Sequence, residues 1–246
     1  MTDTPADTAT PSFRGDVTVE LVKHTAADTD VLWAARVSTA GEQSLEELQK
    51  DPERSKGLIN YLMRDRHGSP FEHNSMTFFI SAPIFVFREF MRHRVGWSYN
   101  EESGRYRELQ PVFYLPAQDR KLVQEGRPGK YVFVDGSPAQ HKVVSDAMED
   151  SYRRSYETYQ EMLAAGIARE VARAVLPVGL FSSMYATCNA RSLMHFLGLR
   201  TQHEQAKVPS FPQREIEMVG EKMEEEWARL MPLTHAAFNA NGRIAP

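Results

Sequence analysis

The 246-residue sequence contains one cysteine, Cys188, so no intrachain disulfide can form and no CxxC zinc site exists, which fits a reducing compartment. The same scarcity narrows the choice of nucleophile. A thiolate needs a nearby cation or base, and the run ATCNAR offers only Arg191, three residues on. A lone cysteine closing an apolar, strand-like run reads more simply as a small core residue. Positive charge is also short: 29 Lys and Arg against 33 Asp and Glu give a formal charge of -4, with no global attraction for nucleic acid or anionic lipid. Any anion binding must be local. No stretch approaches the roughly twenty apolar residues that cross a bilayer, and Met1 leads into an acidic, polar segment rather than a signal core. The expectation is a cytoplasmic protein with no membrane and no nucleic-acid partner. GxxxxGK[ST], GxGxxG and GxSxG are all absent, which removes support for a phosphate-loop NTPase, a Rossmann cofactor domain and a serine hydrolase. No Pro/Ser/Gly-rich linker divides the chain and no repeat appears, so residues 16–246 read as one domain. Residues 1–15 hold few large apolar side chains and read as a flexible tail.

What is present alternates between two periods. Asp16 to Thr25 alternates apolar and polar side chains as a half-buried strand does, and Ser75 to Pro83 is a short aromatic strand ended by proline. Helical spacing marks Asp28 to Thr39, the Leu58 to Met63 region, and Ile84, Phe87 and Met91. This last helix is expected to deliver Arg92, His93 and Arg94 at its C-terminal end, where partial negative charge favours cations. SGRYRELQPVFYLP reads as extended and KYVFVDG as a hairpin arm. A long amphipathic helix spans His141 to Ala165, and Asn189 is placed to cap a helix carrying Arg191 and His195 on one face. A closing helix runs from Ile216 to Leu230 after Pro212. The class is α+β, a modest mixed sheet with long packed helices.

The densest chemistry lies between Arg92 and Arg105, RHRVGWSYNEESGR, with three arginines, a histidine, hydroxyls and two carboxylates. The bland reading is a solvated loop with scattered surface ion pairs. Against it stand the alternation of charge, the small hydroxyl residues between the bases, and further arginines in EVARAVLP and NARSLMHFLGLR. Planar arginine forks suit phosphate or an enolate-like oxygen, and mixed charge suits a small ligand better than a nucleic-acid surface. His67, Glu72 and His73 in HGSPFEH are metal-ligating types, but the spacing matches no compact zinc signature, and no metal is expected. Two classes of function remain: an enzyme with an anionic substrate, or a non-catalytic nucleotide- or nucleic-acid-binding module, which the acidic balance disfavours.

RHR followed by eight residues and Ser103 in NEESGRY, with HGSPFEH, EVARAVLP and NARSLMHFLGLR in order, resembles the flavin-dependent thymidylate synthases, the ThyX family, over Val17 to Trp227. The resemblance implies that family's fold, with a single domain assembled as a homotetramer with shared active sites. It implies reductive methylation of dUMP to dTMP, with 5,10-methylenetetrahydrofolate as carbon donor, FAD as redox cofactor and NADPH as reductant, and no cysteine nucleophile. Carried over by motif, the FAD residues are Ser69, Arg92, His93, Arg94, Glu101, Asn189, Ala190, Arg191 and His195. The dUMP residues are Glu89, Arg92, Glu101, Glu102, Ser103, Gly104, Arg105, Arg173 and Arg200. Ser103, Arg105 and the Gly104 N–H suit a phosphate, and Arg200, against the uracil N3–O4 edge, is the catalytic candidate. Glu89 stands where the family often has glutamine; its charge would oppose an anion unless paired, and Arg88 is its neighbour in sequence. His195 replaces an asparagine of some relatives, and His67 is expected near flavin and folate without an assigned role.

Overall fold

The computed structural model describes residues 10–41, 51–127 and 130–246, which form two compact units. The first comprises residues up to Asp16 together with 82–85 and 102–182. Its strand β1 (Ser12–Arg14) pairs in parallel with a strand at Val112–Tyr114, and a hairpin joins Val123–Arg127 to Lys130–Val134. Ser12–Arg14 is therefore ordered structure inside the segment expected to be a tail, while positions 1–9 lie outside the described residues. Pairing supplies the backbone partners that this short polar segment lacks by itself. A long helix, Pro138–Ala164, starts at a capping box: Ser137 accepts from the Gln140 N–H and Gln140 returns a bond to the Ser137 N–H. Its buried face, Tyr152, Tyr156 and Tyr159, packs with Leu109, Phe113 and Leu180 as the core of this unit. A short helix at Arg169–Ala172 then runs into a 3₁₀ turn at Arg173–Val175.

The second unit comprises 17–81, 86–101 and 183–246. Its core is backed by a four-stranded sheet in the order β2 (Thr18–His24), β3 (Met76–Pro83), β8 (Phe181–Cys188), β4 (Trp97–Glu101), the strands at 112–114, 123–127 and 130–134 being β5 to β7. Period-two alternation turns Met76, Phe78 and Ile80 of β3, and Met184, Ala186 and Cys188 of β8, inward. Helices α1 (Asp28–Ala40), α2 (Pro52–Arg64) and α3 (Ile84–Phe90) precede α4 (138–164) and α5 (169–172); α6 (Ala190–Arg200), α7 (Arg214–Leu230) and α8 (Pro232–Ala240) close the chain. Leu193, Phe196 and Leu197 of α6, Ile216, Met223 and Trp227 of α7, and Phe238 of α8 are buried. Removing such side chains from water is worth roughly 1.5 to 3 kcal/mol each.

Helix α3 ends at Phe90, and Arg92, His93 and Arg94 follow in the turn at its C-terminal end. The chain then enters strand β4, antiparallel to β8, with Trp97 opposite Cys188 and Glu101 opposite Met184. Among the described residues no helix is long and apolar enough to cross a membrane.

Candidate active site

In the second unit, the turn after α3 is gripped by aromatic rings. Trp97 and Tyr99 lie parallel at 5.8 Å, Phe90 meets each edge-on, and Phe90 packs on Phe196 of α6 at 4.5 Å. The Tyr99 hydroxyl donates to the carbonyls of His93 at 2.6 Å and Phe90 at 3.3 Å, and burial pushes its pKa upward. Gly96 turns the chain at φ +70°, and a Cβ there would collide with Ser192 Oγ, which donates to the Val95 carbonyl. This rigid turn presents Arg92 and Arg94 to solvent.

His93 points the other way, its ring edge-on to Phe196 at 4.9 Å. Arg200, the last residue of α6, donates from Nε to His93 Nε2 at 3.1 Å and from Nη1 to Glu89 Oε2 at 2.8 Å. Glu89 thus pairs with Arg200, where sequence proximity had pointed to Arg88; its position on α3, not its neighbour along the chain, selects the partner. Burial first, then the cations of Arg200 and His195, push the His93 pKa down to about 4, so the imidazole is neutral near pH 7. Accepting from Arg200 at Nε2 fixes its proton on Nδ1. A guanidinium has five N–H donors, and with one N–H on each of these two contacts, three have no partner among the described residues.

On the other end of α6, Asn189 caps the helix as its sequence implied, its side-chain oxygen accepting from the Ser192 N–H at 2.9 Å. Ala190 is buried and its N–H is taken by Asn74 Oδ1 at 2.8 Å. Arg191 bonds Glu72 and the Pro246 carbonyl, lying so close over Gly68 that any Cβ there would overlap its guanidinium. His195 is exposed, yet the protein around it, then Arg191 and Arg66, hold it below the usual imidazole range.

Ser69 and His67 line a cavity of about 640 Å³ with Arg36, Ser38 and Thr39 of α1 and Arg54 of α2. Arg36 Nη2 is buried there without a hydrogen-bond partner among the described residues. A half-buried arginine beside several hydroxyls and a second arginine suits a phosphate-bearing cofactor, and the Tyr61 and His67 rings, stacked 5.6 Å apart on its wall, suit a flat ring system. The donor set therefore fits a dinucleotide such as FAD. Sequence reasoning missed Arg36, Ser38 and Thr39; the signal available was the run ARVST, a cation beside hydroxyls at a helix end.

In the first unit, Ser103 to Tyr106 form a tight turn in which Ser103 Oγ accepts from the Arg105 N–H at 3.3 Å. Arg105 is not free: it pairs with Glu170 at 2.9 Å, both half-exposed, and Arg107 pairs with Glu102 at 3.1 Å. Gly104 is buried, and a Cβ there would press on Leu109 and on Arg173 Cδ at 3.2 Å, so the bare backbone lets the turn and Arg173 approach. Glu101 ends β4 of the second unit. Among the described residues no cluster of His, Cys, Asp or Glu has the makings of a metal site. Cys188 is buried on β8 and desolvation pushes its pKa far up, which leaves an inert thiol.

Comparison with known proteins agrees with this chemistry. The family model described as "Thymidylate synthase complementing protein" matches residues 20–233. A "Flavin-dependent thymidylate synthase" of Streptomyces avermitilis is 87% identical over 246 residues, covering 100% of both chains. One of Tropheryma whipplei (strain TW08/27) is 56% identical over 237 residues, covering 96% of this chain and 98% of that protein. Among solved structures, the UMP/dUMP methylase PolB of Streptomyces cacaoi bound with 5-Br dUMP superposes with a TM-score of 0.89 at 56% identity, covering 95% of this chain and 99% of that one.

Proposed function

This chain belongs to the flavin-dependent thymidylate synthase family, and on that premise we propose that it methylates dUMP to dTMP with FAD as redox cofactor, NADPH as reductant and 5,10-methylenetetrahydrofolate as carbon donor. The observation that carries the reading is Arg200: a permanent cation whose orientation is fixed by Glu89 and His93 while three of its donors have no partner among the described residues. Set against the N3–O4 edge of uracil, it favours the N3-deprotonated ring and raises electron density at C5. A pre-positioned donor of this kind contributes about 3 kcal/mol to a transition state. Neutral His93 does not compete for the anion, and Glu89, paired with Arg200, does not repel it.

When bound, FAD supplies the hydride and redox chemistry that no side chain provides. We assign its binding to Ser69, Arg92, His93, Arg94, Glu101, Asn189, Ala190, Arg191 and His195, with Arg36 and Ser38 added by the orphaned guanidinium nitrogen and the shared cavity. Ala190 is fully buried with its N–H bonded to Asn74, so its part is to hold the start of α6 in place. For dUMP we assign Glu89, Arg92, Glu101, Glu102, Ser103, Gly104, Arg105, Arg173 and Arg200, as the family motifs imply. Arg105 would exchange Glu170 for phosphate, a cheap exchange because both groups are half-exposed. The PolB structures bound with 5-Br UMP and 5-Br dUMP support a uridylate in this family member. We take residues 16–246 as one catalytic domain working in the cytoplasm as a homotetramer with shared active sites. Exposed apolar side chains such as Val95, Val132, Leu199 and Phe211 support burial against further copies.

The test is spectroscopic and chemical. Purified protein should be yellow, bleach with NADPH in the absence of oxygen, and form dTMP from dUMP and methylenetetrahydrofolate. A folded protein that binds no FAD and forms no dTMP when both are supplied overturns the proposal.

A further inference from the structure

We propose that Arg243, clamped by Glu224, is a positioning residue for Arg200, acting through Thr201 to fix the last turn of α6. The proposal rests on the reading of Arg200 given above and concerns residues that no part of that reading uses.

Arg243 is buried beyond the end of α8, and both of its terminal nitrogens reach Glu224 of α7, at 2.6 and 2.7 Å. Nη1 also donates to Asn239 at 2.7 Å, and Glu224 accepts a further contact from His235 at 2.8 Å. The remaining contact leaves this cluster: Arg243 Nη2 donates to Thr201 Oγ1 at 2.9 Å. Thr201 is the residue after Arg200 and ends α6, where its hydroxyl also donates to the Leu197 carbonyl at 2.8 Å. Two glycines bring other elements against the same turn. A Cβ on Gly198 would sit 3.0 Å from the Arg243 carbonyl, and one on Gly220 of α7 would sit 2.7 Å from Thr201 Cγ2. The backbone on both sides of Arg200 is therefore seated on α7 and on Arg243.

Stability alone is a poor account of this arrangement. Removing two charges from water offsets much of their attraction. Arg243 Nε stays buried without a partner among the described residues, and Arg243 holds the left-handed backbone at φ 55°, a conformation costly for a side chain of its size. What the arrangement secures is the direction of one helix end. A cation that must meet the edge of a planar ring is sensitive to such direction, since a misplacement of about 1 Å can cost on the order of a hundredfold in rate.

Thr201→Val keeps the side-chain shape and removes the acceptor. We expect FAD content and the rate of flavin bleaching by NADPH to be unchanged, kcat/KM for dUMP to fall roughly tenfold, and Thr201→Ser to restore it. The same substitution placed on Arg200→Ala should cause no further loss of dUMP binding, read from the flavin spectrum, because the residue through which it acts is gone. Arg243→Lys, which cannot reach Glu224 and Thr201 together, should behave as Thr201→Val does and replaces it if that variant fails to fold. Wild-type kcat/KM in folded Thr201→Val or Arg243→Lys, or an equal loss on the Arg200→Ala background, overturns the inference. Full turnover in Arg200→Ala alone overturns the reading of Arg200 on which it stands.

Discussion

At His93 one ring nitrogen must stay unprotonated to accept from Arg200 Nε, and the protein enforces this by burial and by the two cations facing it, Arg200 and, when protonated, His195. Folding lowers its pKa from 6.5 to about 4, so between those values the unfolded chain binds more protons than the folded one. Stability from keeping the ring neutral is complete above about 6.5 and is lost as pH falls toward 4. The urea midpoint of the wild type should therefore drop between pH 7 and pH 5, and the drop should shrink in His93→Asn; an identical pH dependence in both would contradict the role given to this ring. Cys188 was legible in sequence as a core thiol, because a lone cysteine closing an apolar strand has little else to do. Partnerships were not. Glu89 and Arg200 are 111 positions apart and meet only because α3 and the end of α6 do. Arg36 and Ser69 are 33 positions apart in sequence and share a cavity only because α1 and the 69–72 turn pack together.

Among elements, helices with one clear apolar face and a named cap were readable, as Asn189 before α6 and the run from Ile216 to Leu230 within α7 show. The long helix extends three residues earlier than its apolar pattern, because Ser137 and Pro138 start it by capping and not by hydrophobicity. Strand β4 was hidden for a different reason. WSYNE does alternate, with Trp97 and Tyr99 inward and Ser98 and Asn100 outward, but it sits inside a charge-dense run and takes its order from pairing with β8. Gly96 is the last turn residue before that strand, and the same turn holds Arg92 and Arg94. Gly96→Ala would place a side chain at φ +70° and displace Ser192 Oγ. It should lower stability by about 2 kcal/mol and loosen FAD more than dUMP, measured as flavin released on gel filtration. Unchanged melting temperature and flavin retention would show that the turn is not held as described.

For the whole molecule, composition and absent motifs excluded more than they identified, and only the ordered set of RHR, NEESGRY, HGSPFEH, EVARAVLP and NARSLMHFLGLR pointed to one family. The division of the described residues into two compact units was invisible in sequence because both are built from interleaved segments, with no linker between them. Within the segment expected to be a tail, residues 12–14 pair with a strand 100 positions away, a partner that local composition does not reveal. Across both units the account makes one central claim, that dTMP formation depends on flavin and on Arg200 and not on a thiol. Its most direct test is dTMP formation by Cys188→Ala loaded with FAD and supplied with NADPH, dUMP and methylenetetrahydrofolate. The account predicts turnover close to wild type, because Cys188 is a buried, protonated core residue. A folded, flavin-loaded Cys188→Ala protein that makes no dTMP would contradict it.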